Sequence, residues 1–492
     1  APGPGGAGSG HAWPAAPDPA GPPAASTGPG GGGGGATTGA GPHGDGSPGG
    51  APGAGSGRTP SGGGSSPGGA GGGTGAAPPA GPPSPWEDLL DLCRFPHRGS
   101  GTPQEARAAR WLASRLRELG WEVEIQEFPT PRHTLYLGPA WTGIALALLA
   151  LAGAGRQGAA AAFLSLLAAA VLVPLLGEVA LWPAGWRVNL SPLLPRARSQ
   201  NVIAWLPGAR DAGDAGGAGA TGESGPRAPG PLHVIVTAHY DTQWGSWLFA
   251  PGFLPWLQAF FTAGYAAFLA VPLLLAARAA GLATALPLQV AAAASLAVAG
   301  FLLVSWRFGR PVNGANDNGS GVAVALALAR RWREDPLPGV TLTIALTGAE
   351  EVGMRGMAAL LEHPRMPWHR PGTPAAVINI DNVGAGRLHF LTAEGMLFPV
   401  RYDRRLVDHA RALAAALPPG RLTPGPRPLL PTDALLPAAR GIPAITFLAT
   451  GPGGRIPHYH WHTDRPEHVD PAHLAATAGI LWAYLDRLAR SR

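Results

Sequence analysis

Four stretches of the chain stay apolar for about the thickness of a membrane, and the rest alternates short apolar runs with polar ones. The long stretches are 137–154 ("LGPAWTGIALALLALAGA"), 159–177 ("AAAAFLSLLAAAVLVPLLG"), 259–277 and 282–306. Each reaches the roughly 18 to 20 residues that a helix needs to cross a hydrocarbon core. Tyr136, Trp141, Trp182, Trp256 and Trp306 lie near their ends, where amphipathic rings favour a membrane–water interface. The links within each pair, "GRQG" and "RAAG", are short, so the pattern predicts two helical hairpins. A hairpin returns the chain to the side it left, which puts the polar segments on one membrane face. Arg132, Arg187, Arg196, Arg198, Arg307 and Arg310 lie close to the spans on that side, against Arg156 and Arg278 at the tips. That excess points to the cytoplasmic side.

The shorter runs predict strands and helices in turn. In "GTPQEARAARWLASRLRELGWEVEIQEF", Ala108, Trp111, Leu112, Leu116 and Leu119 recur at helical spacing and Gly120 stops the helix. Val123, Ile125 and Phe128 then suggest a strand. Further strands are expected in 200–208, 232–241, 339–351, 375–384 and 441–449, with helices over 320–332 and at the C-terminus. Apolar strands alternating with helices indicate the α/β class: a mostly parallel sheet covered on both faces. Ligand sites in such sheets collect at the carboxyl ends of the strands.

Composition sets apart the first segment. Residues 1–85 are nearly all Gly, Pro, Ala and Ser, with too little to bury to offset the entropy of ordering, so a disordered arm is expected. The net charge is +6, yet only 13% of residues are charged and all the basic ones are arginine. No basic run is interleaved with aromatics, which argues against a nucleic-acid partner. The single cysteine, Cys93, rules out an intrachain disulfide and a cysteine-based zinc cluster.

The polar residues of interest fall at strand ends. His239 and Asp241 follow one strand in "TAHYDTQWGS". Asp317 lies in "NGANDNGSG" just before a helix, Glu350 and Glu351 end the "TLTIALTGA" strand, and Asp381 ends "AVINI". His462 follows the late strand in "HYHWHTDRPEHVD", with His458 and His460 close by. Taken singly, a strand-end Asp is usually a turn residue, paired glutamates are usually solvated, and His-x-Asp is as well a polar terminus as a ligand pair. Their appearance in this order at successive strand ends is what suggests a metal site.

The set "HYD", "NDNGSG", "TGAEEVGMRG", "NIDNVG", "TDALLPAARGIPAI" and "HWHTD" resembles metallopeptidase family 28, the co-catalytic zinc aminopeptidases. The resemblance covers 86–136, 199–250 and 309–492, with the hairpins (137–183 and 251–308) as insertions. It implies a zinc-aminopeptidase-like fold and two zinc ions. His239 and Asp381 would bind one ion, Glu351 and His462 the other, and Asp317 would bridge them. Asp241 would back His239 and Glu350 would be the general base. Among the three histidines of the last motif, the resemblance selects His462 because Thr463 follows it; a following Asp464 with no intervening residue departs from the family's spacing.

These residue types suit that chemistry. Zinc takes imidazole nitrogens and carboxylate oxygens and, in catalytic sites, keeps a position open. A short carboxylate can bridge two ions about 3.5 to 4 Å apart. The expectation is therefore a membrane-embedded aminopeptidase acting on peptides with a free N-terminus, integral to a cell membrane. The arginine count favours a cytoplasmic catalytic domain and the family's habits an external one. A single-zinc glutaminyl cyclase and a non-catalytic peptidase-like receptor or scaffold are the alternatives.

Overall fold

The computed structural model describes residues 84–132, 136–178, 194–207, 230–395, 398–428 and 430–491. All but the last two residues of the arm expected over 1–85 lie outside them, as do Trp182 and Arg187.

Among the described residues ten strands form: β1 (Glu122–Pro131), β2 (Arg196–Trp205), β3 (Leu232–His239), β4 (Val340–Thr347), β5 (Ala375–Asp381), β6 (Arg387–Phe390), β7 (Ala393–Glu394), β8 (Val400–Arg401), β9 (Thr423–Pro424) and β10 (Ala444–Thr450). Eight of them make one sheet in the order β1-β2-β4-β3-β5-β10-β6-β9, and β7 pairs with β8 apart from it. The inner four, β4-β3-β5-β10, run parallel, while β1–β2, β2–β4 and β10–β6 are antiparallel. The expected parallel sheet is thus its centre; the flanking pairs are antiparallel except the edge pair β6–β9, which is parallel. Burial follows the same division. Strands β3, β5 and β10 are covered along nearly their whole length, whereas much of β1 is only half-buried. Parallel strands need cover on both faces and antiparallel ones do not.

The helices are α1 (Pro85–Leu92), α2 (Pro103–Glu118), α3 (Leu137–Ala154), α4 (Gly158–Leu176), α5 (Leu257–Ala279), α6 (Ala285–Phe308), α7 (Gly321–Glu334), α8 (Arg355–Leu361), α9 (Arg404–Ala416), α10 (Leu435–Ala439) and α11 (Pro471–Arg490). Helix α2 starts where expected: the Thr102 hydroxyl accepts the Glu105 N–H at 3.2 Å, and Pro103 fills the first helical position, where no N–H is needed. Apolar over Gly321–Ala329, α7 lies against β3, β4 and β5 and also meets α1 and α11. It carries the core that fixes the sheet's carboxyl edge.

Helices α3 to α6 are long and apolar enough to cross a membrane. Leu146, Ala150, Leu172, Leu175, Phe268, Val271, Leu275 and Leu288 pack together between them. Gly143 lets α3 approach its neighbours: a Cβ there would lie 2.9 Å from the Phe268 ring and 3.0 Å from the Ser295 carbonyl oxygen. Small residues at such contacts are how helices pack closely where water gives no drive. The outer faces keep large apolar side chains, with Leu148 62%, Leu166 72% and Leu273 67% exposed. A polar solvent would penalise that surface; a hydrocarbon one would not.

Candidate metal centre

The order of the inner strands opens a crevice. From β3 the chain goes to β4 on one side and next adds β5 on the other, and such switch points leave a gap between diverging connections at the strand ends. His239 is the last residue of β3 and Asp381 the last of β5. Glu350 and Glu351 come just after β4, and Asp317 sits in an irregular turn, Ala315–Ser320, that leads into α7. All five converge.

Around Asp317 the donors fall into two groups. His239 Nε2 is 3.3 Å from Asp317 Oδ1 and 3.4 Å from Asp381 Oδ1. The second carboxylate oxygen, Asp317 Oδ2, is 3.0 Å from His460 Nε2, which is also 3.1 Å from Glu351 Oε2. In each of these triads the donor atoms lie within 4.8 Å of one another, and Glu350 completes a third group with His239 and Glu351.

One expected ligand is replaced. His460, not His462, faces Asp317 and Glu351. The chain turns through left-handed conformations at His458 and His460 (φ 57° and 50°), and that turn aims the His460 ring inward. Tyr459 stacks on the ring at 3.8 Å and Phe249 meets it edge-on at 4.4 Å. His462 is exposed, and its carbonyl oxygen accepts the Arg465 Nε–H at 3.2 Å. His458 shares a hydrogen bond with Thr463 and stacks on His468. Three histidines at alternate positions cannot be ranked by spacing; the positive-φ turn decides among them.

Asp241 also differs in detail from a simple backing carboxylate. His239 Nδ1 is 3.2 Å from the Asp241 carbonyl oxygen and 3.6 Å from its carboxylate. That carboxylate instead accepts the backbone N–H groups of Glu350 (2.9 Å) and Glu351 (3.2 Å) and the Ser100 hydroxyl (2.7 Å). It fixes the two glutamates more directly than the histidine.

Several supports were not foreseen. Asp464 accepts the N–H groups of Asn316 (2.7 Å) and Asp317 (3.0 Å), doing for the Asp317 turn what Asp241 does for the glutamates. Asn382 donates to both Asp317 (3.1 Å) and Asp381 (2.9 Å), and Gln243 donates to Glu351 at 2.9 Å. Asn316, Asn318 and Ser320 accept the N–H groups of Gly384, Asn382 and Val383 respectively, so the "NDNGSG" motif is sewn to "NIDNVG". Beneath them Arg98, fully buried, donates to the carbonyls of Tyr240, Asn313 and Gly314. A single arginine in a loop gives no sequence signal of that role.

The electrostatics favour bound cations. Burial pushes the Glu350 carboxyl well above the usual range, reinforced by Glu351 and opposed by His239. Burial also raises Glu351 to about 7, with Asp317 adding to the shift. For His460, burial disfavours the charged form, yet Glu351 and Asp317 prevail and lift it to about 10. A pocket with Asp317, Glu350, Glu351 and Asp381 against two imidazoles is short of positive charge. Glu351 Oε1 and His460 Nδ1 are buried with no hydrogen-bond partner among the described residues, and unpaired buried polar atoms are costly. The donor set, imidazole nitrogen with carboxylate oxygen, is that of zinc. A cavity of about 330 Å³ adjoins it, lined by His239, Asp317, Glu350 and Asp381.

Among solved structures, the fold is similar to a glutaminyl cyclase from Porphyromonas gingivalis, at 17% identity over 82% of this chain and 97% of the other, with a TM-score of 0.46. It is also similar to a Zn-dependent exopeptidase from Parabacteroides distasonis (15%, 81% and 95%, 0.45). A zinc aminopeptidase from Bacillus subtilis gives comparable values (17%, 82% and 93%, 0.45). No curated protein matches the sequence. Residues 300–485, which contain Asp317, Glu350, Glu351, Asp381 and His460, match the profile of Peptidase family M28. By that match residues 300–485 of the chain are similar to peptidase family M28.

Proposed function

We propose that this chain is a membrane-bound aminopeptidase that uses two zinc ions to cleave N-terminal peptide bonds. The observation that carries the reading is the division of Asp317: Oδ1 faces His239 and Oδ2 faces His460. One short carboxylate thus serves two donor groups, as a bridge between two cations requires. His239 and Asp381 would hold one ion, Glu351 and His460 the other. The four apolar helices support residence in a bilayer.

When bound, zinc supplies Lewis acidity and makes water acidic enough to act as a nucleophile near neutral pH. The protein's part is proton handling and positioning. Glu350 is beside both donor groups and lines the substrate-sized cavity. It takes a proton from water and returns it to the leaving amine. Asp241, by holding the Glu350 and Glu351 amides, fixes the distance between the base and the metal donors.

The test is zinc content per chain on purified full-length protein, with hydrolysis of short peptides before and after chelation. The expected result is about two zincs, with activity lost on chelation, restored by zinc and absent in Glu350→Gln. One zinc with cyclisation of N-terminal glutamine would move the protein to the cyclase class. No retained metal and no turnover would refute the reading.

A further inference from the structure

A second cavity, of about 220 Å³, runs from the metal donors into the apolar helices. At one end it is lined by Glu350, Glu351 and His460, and at the other by Phe261, Gly264 and Phe268 of α5 and Val298 and Leu302 of α6. Protein interiors are close-packed and rarely leave a void of this size. For scale, an engineered apolar cavity of about 150 Å³ stays dry and takes up benzene. The space is therefore big enough for one large aliphatic or aromatic side chain. Since the cavity ends on the proposed general base and two metal donors, a group seated in it must be close to the bond being cut.

We propose that this cavity is a specificity subsite for a large apolar side chain flanking the cleaved peptide bond. On this reading, which rests on the peptidase assignment above, the inserted helices do more than anchor the protein: α5 and α6 select its substrate. Apolar N-terminal segments of peptides near a bilayer are the substrate class that follows.

Gly264 gives the test. A Cβ there would meet only Val298, at 3.5 and 3.6 Å, which is ordinary contact, so a larger residue would extend along Val298 and narrow the cavity. The control is Gly300→Leu on α6, where a Cβ would meet nothing within 4 Å and the residue is exposed. Wild-type, Gly264→Leu and Gly300→Leu protein would be assayed in detergent on the dipeptides Leu-Ala, Ala-Leu and Ala-Ala, sampling either flank of the bond. One methylene in an apolar pocket discriminates about 10- to 200-fold. We expect wild type and Gly300→Leu to cleave one leucine dipeptide at least ~10-fold better than Ala-Ala in kcat/KM, and Gly264→Leu to lose that preference. Phe261→Ala, which widens the same space, should shift the preference toward tryptophan when Trp-Ala and Ala-Trp are added to the set, and keeps the test decisive if Gly264→Leu misfolds. A wild-type preference that survives both changes would overturn the subsite. Wild-type protein that cleaves none of the dipeptides would sink the peptidase assignment itself.

Discussion

Replacing His460 and His462 in parallel tests which histidine holds metal. His460 Nε2 lies 3.0 Å from Asp317 and 3.1 Å from Glu351, so its removal leaves that donor group with carboxylates alone. Loss of an outer partner of a metal ligand typically costs about 10- to 100-fold in affinity. Loss of the ligand itself should reach at least the upper end, about 2.7 kcal/mol. His462 is exposed, its ring touches only Trp461 among the described aromatic rings and its carbonyl accepts from Arg465, so His462→Ala should stay within about 0.5 kcal/mol. Because the His460 ring also packs on Tyr459 and Phe249, His460→Asn is preferred to alanine as the less disruptive truncation. The assay is competition for zinc with a chromogenic chelator on the detergent-purified chain, alongside the melting temperature. His460→Asn should release one zinc at a chelator strength that leaves wild type and His462→Ala loaded. Release by His462→Ala with retention by His460→Asn would refute the assignment and return it to the sequence-based expectation.

Three further outcomes are expected. Asp464→Asn keeps one acceptor but turns an amide N–H₂ toward the other backbone donor; it should cost about 1–3 kcal/mol, measurable by denaturation, and lower kcat while leaving expression intact. Gly321→Ala would push a Cβ to 2.6 Å from the Ile380 carbonyl oxygen and into the Asn318 side chain. That overpacking should cost about 1–3 kcal/mol, and an unchanged melting temperature would contradict it. Glu394 is fully buried, and burial pushes its carboxyl from 4.5 up to about 8. With the folded value above the unfolded one, its contribution is present in full below pH 4.5 and is lost as pH rises through 8. Stability should fall across that window by on the order of 1 kcal/mol per unit, and Glu394→Gln should flatten the slope of melting temperature against pH.

The long apolar stretches and the main strands were legible because each depends on local periodicity. Predicted spans at 137–154 and 159–177 became Leu137–Ala154 and Gly158–Leu176. The convergence of His239, Glu350, Glu351 and Asp381 was legible too, because parallel strands deliver their ends and the loops after them to one edge, and Asp317 joins them from the turn before α7. What escaped depends on three dimensions. His460 was passed over because the direction of a ring in "HYHWHTD" is set by backbone dihedrals at two positive-φ residues, which composition does not encode. The short strands β6 to β9 have too few residues to show a period. Arg98 and Asp464 act through backbone groups of distant segments, and a backbone partner leaves no trace in the sequence.

The pairing of β1 with β2 has a consequence for the order of assembly. Pro131 is in register with Arg196, and Arg132 N–H donates to the Pro195 carbonyl at 2.9 Å, so the ladder closes at the very point where the chain departs toward α3 and α4. Were the intervening segment loose coil, bringing its ends together would cost about 4 kcal/mol of closure entropy. A preformed α3–α4 pair shortens the loop left to close, and the zipper between β1 and β2 then starts from its closed end. Hydrogen-exchange protection should therefore appear in α3 and α4 before the β1–β2 ladder, with the sheet margin among the last parts of the molecule to lock.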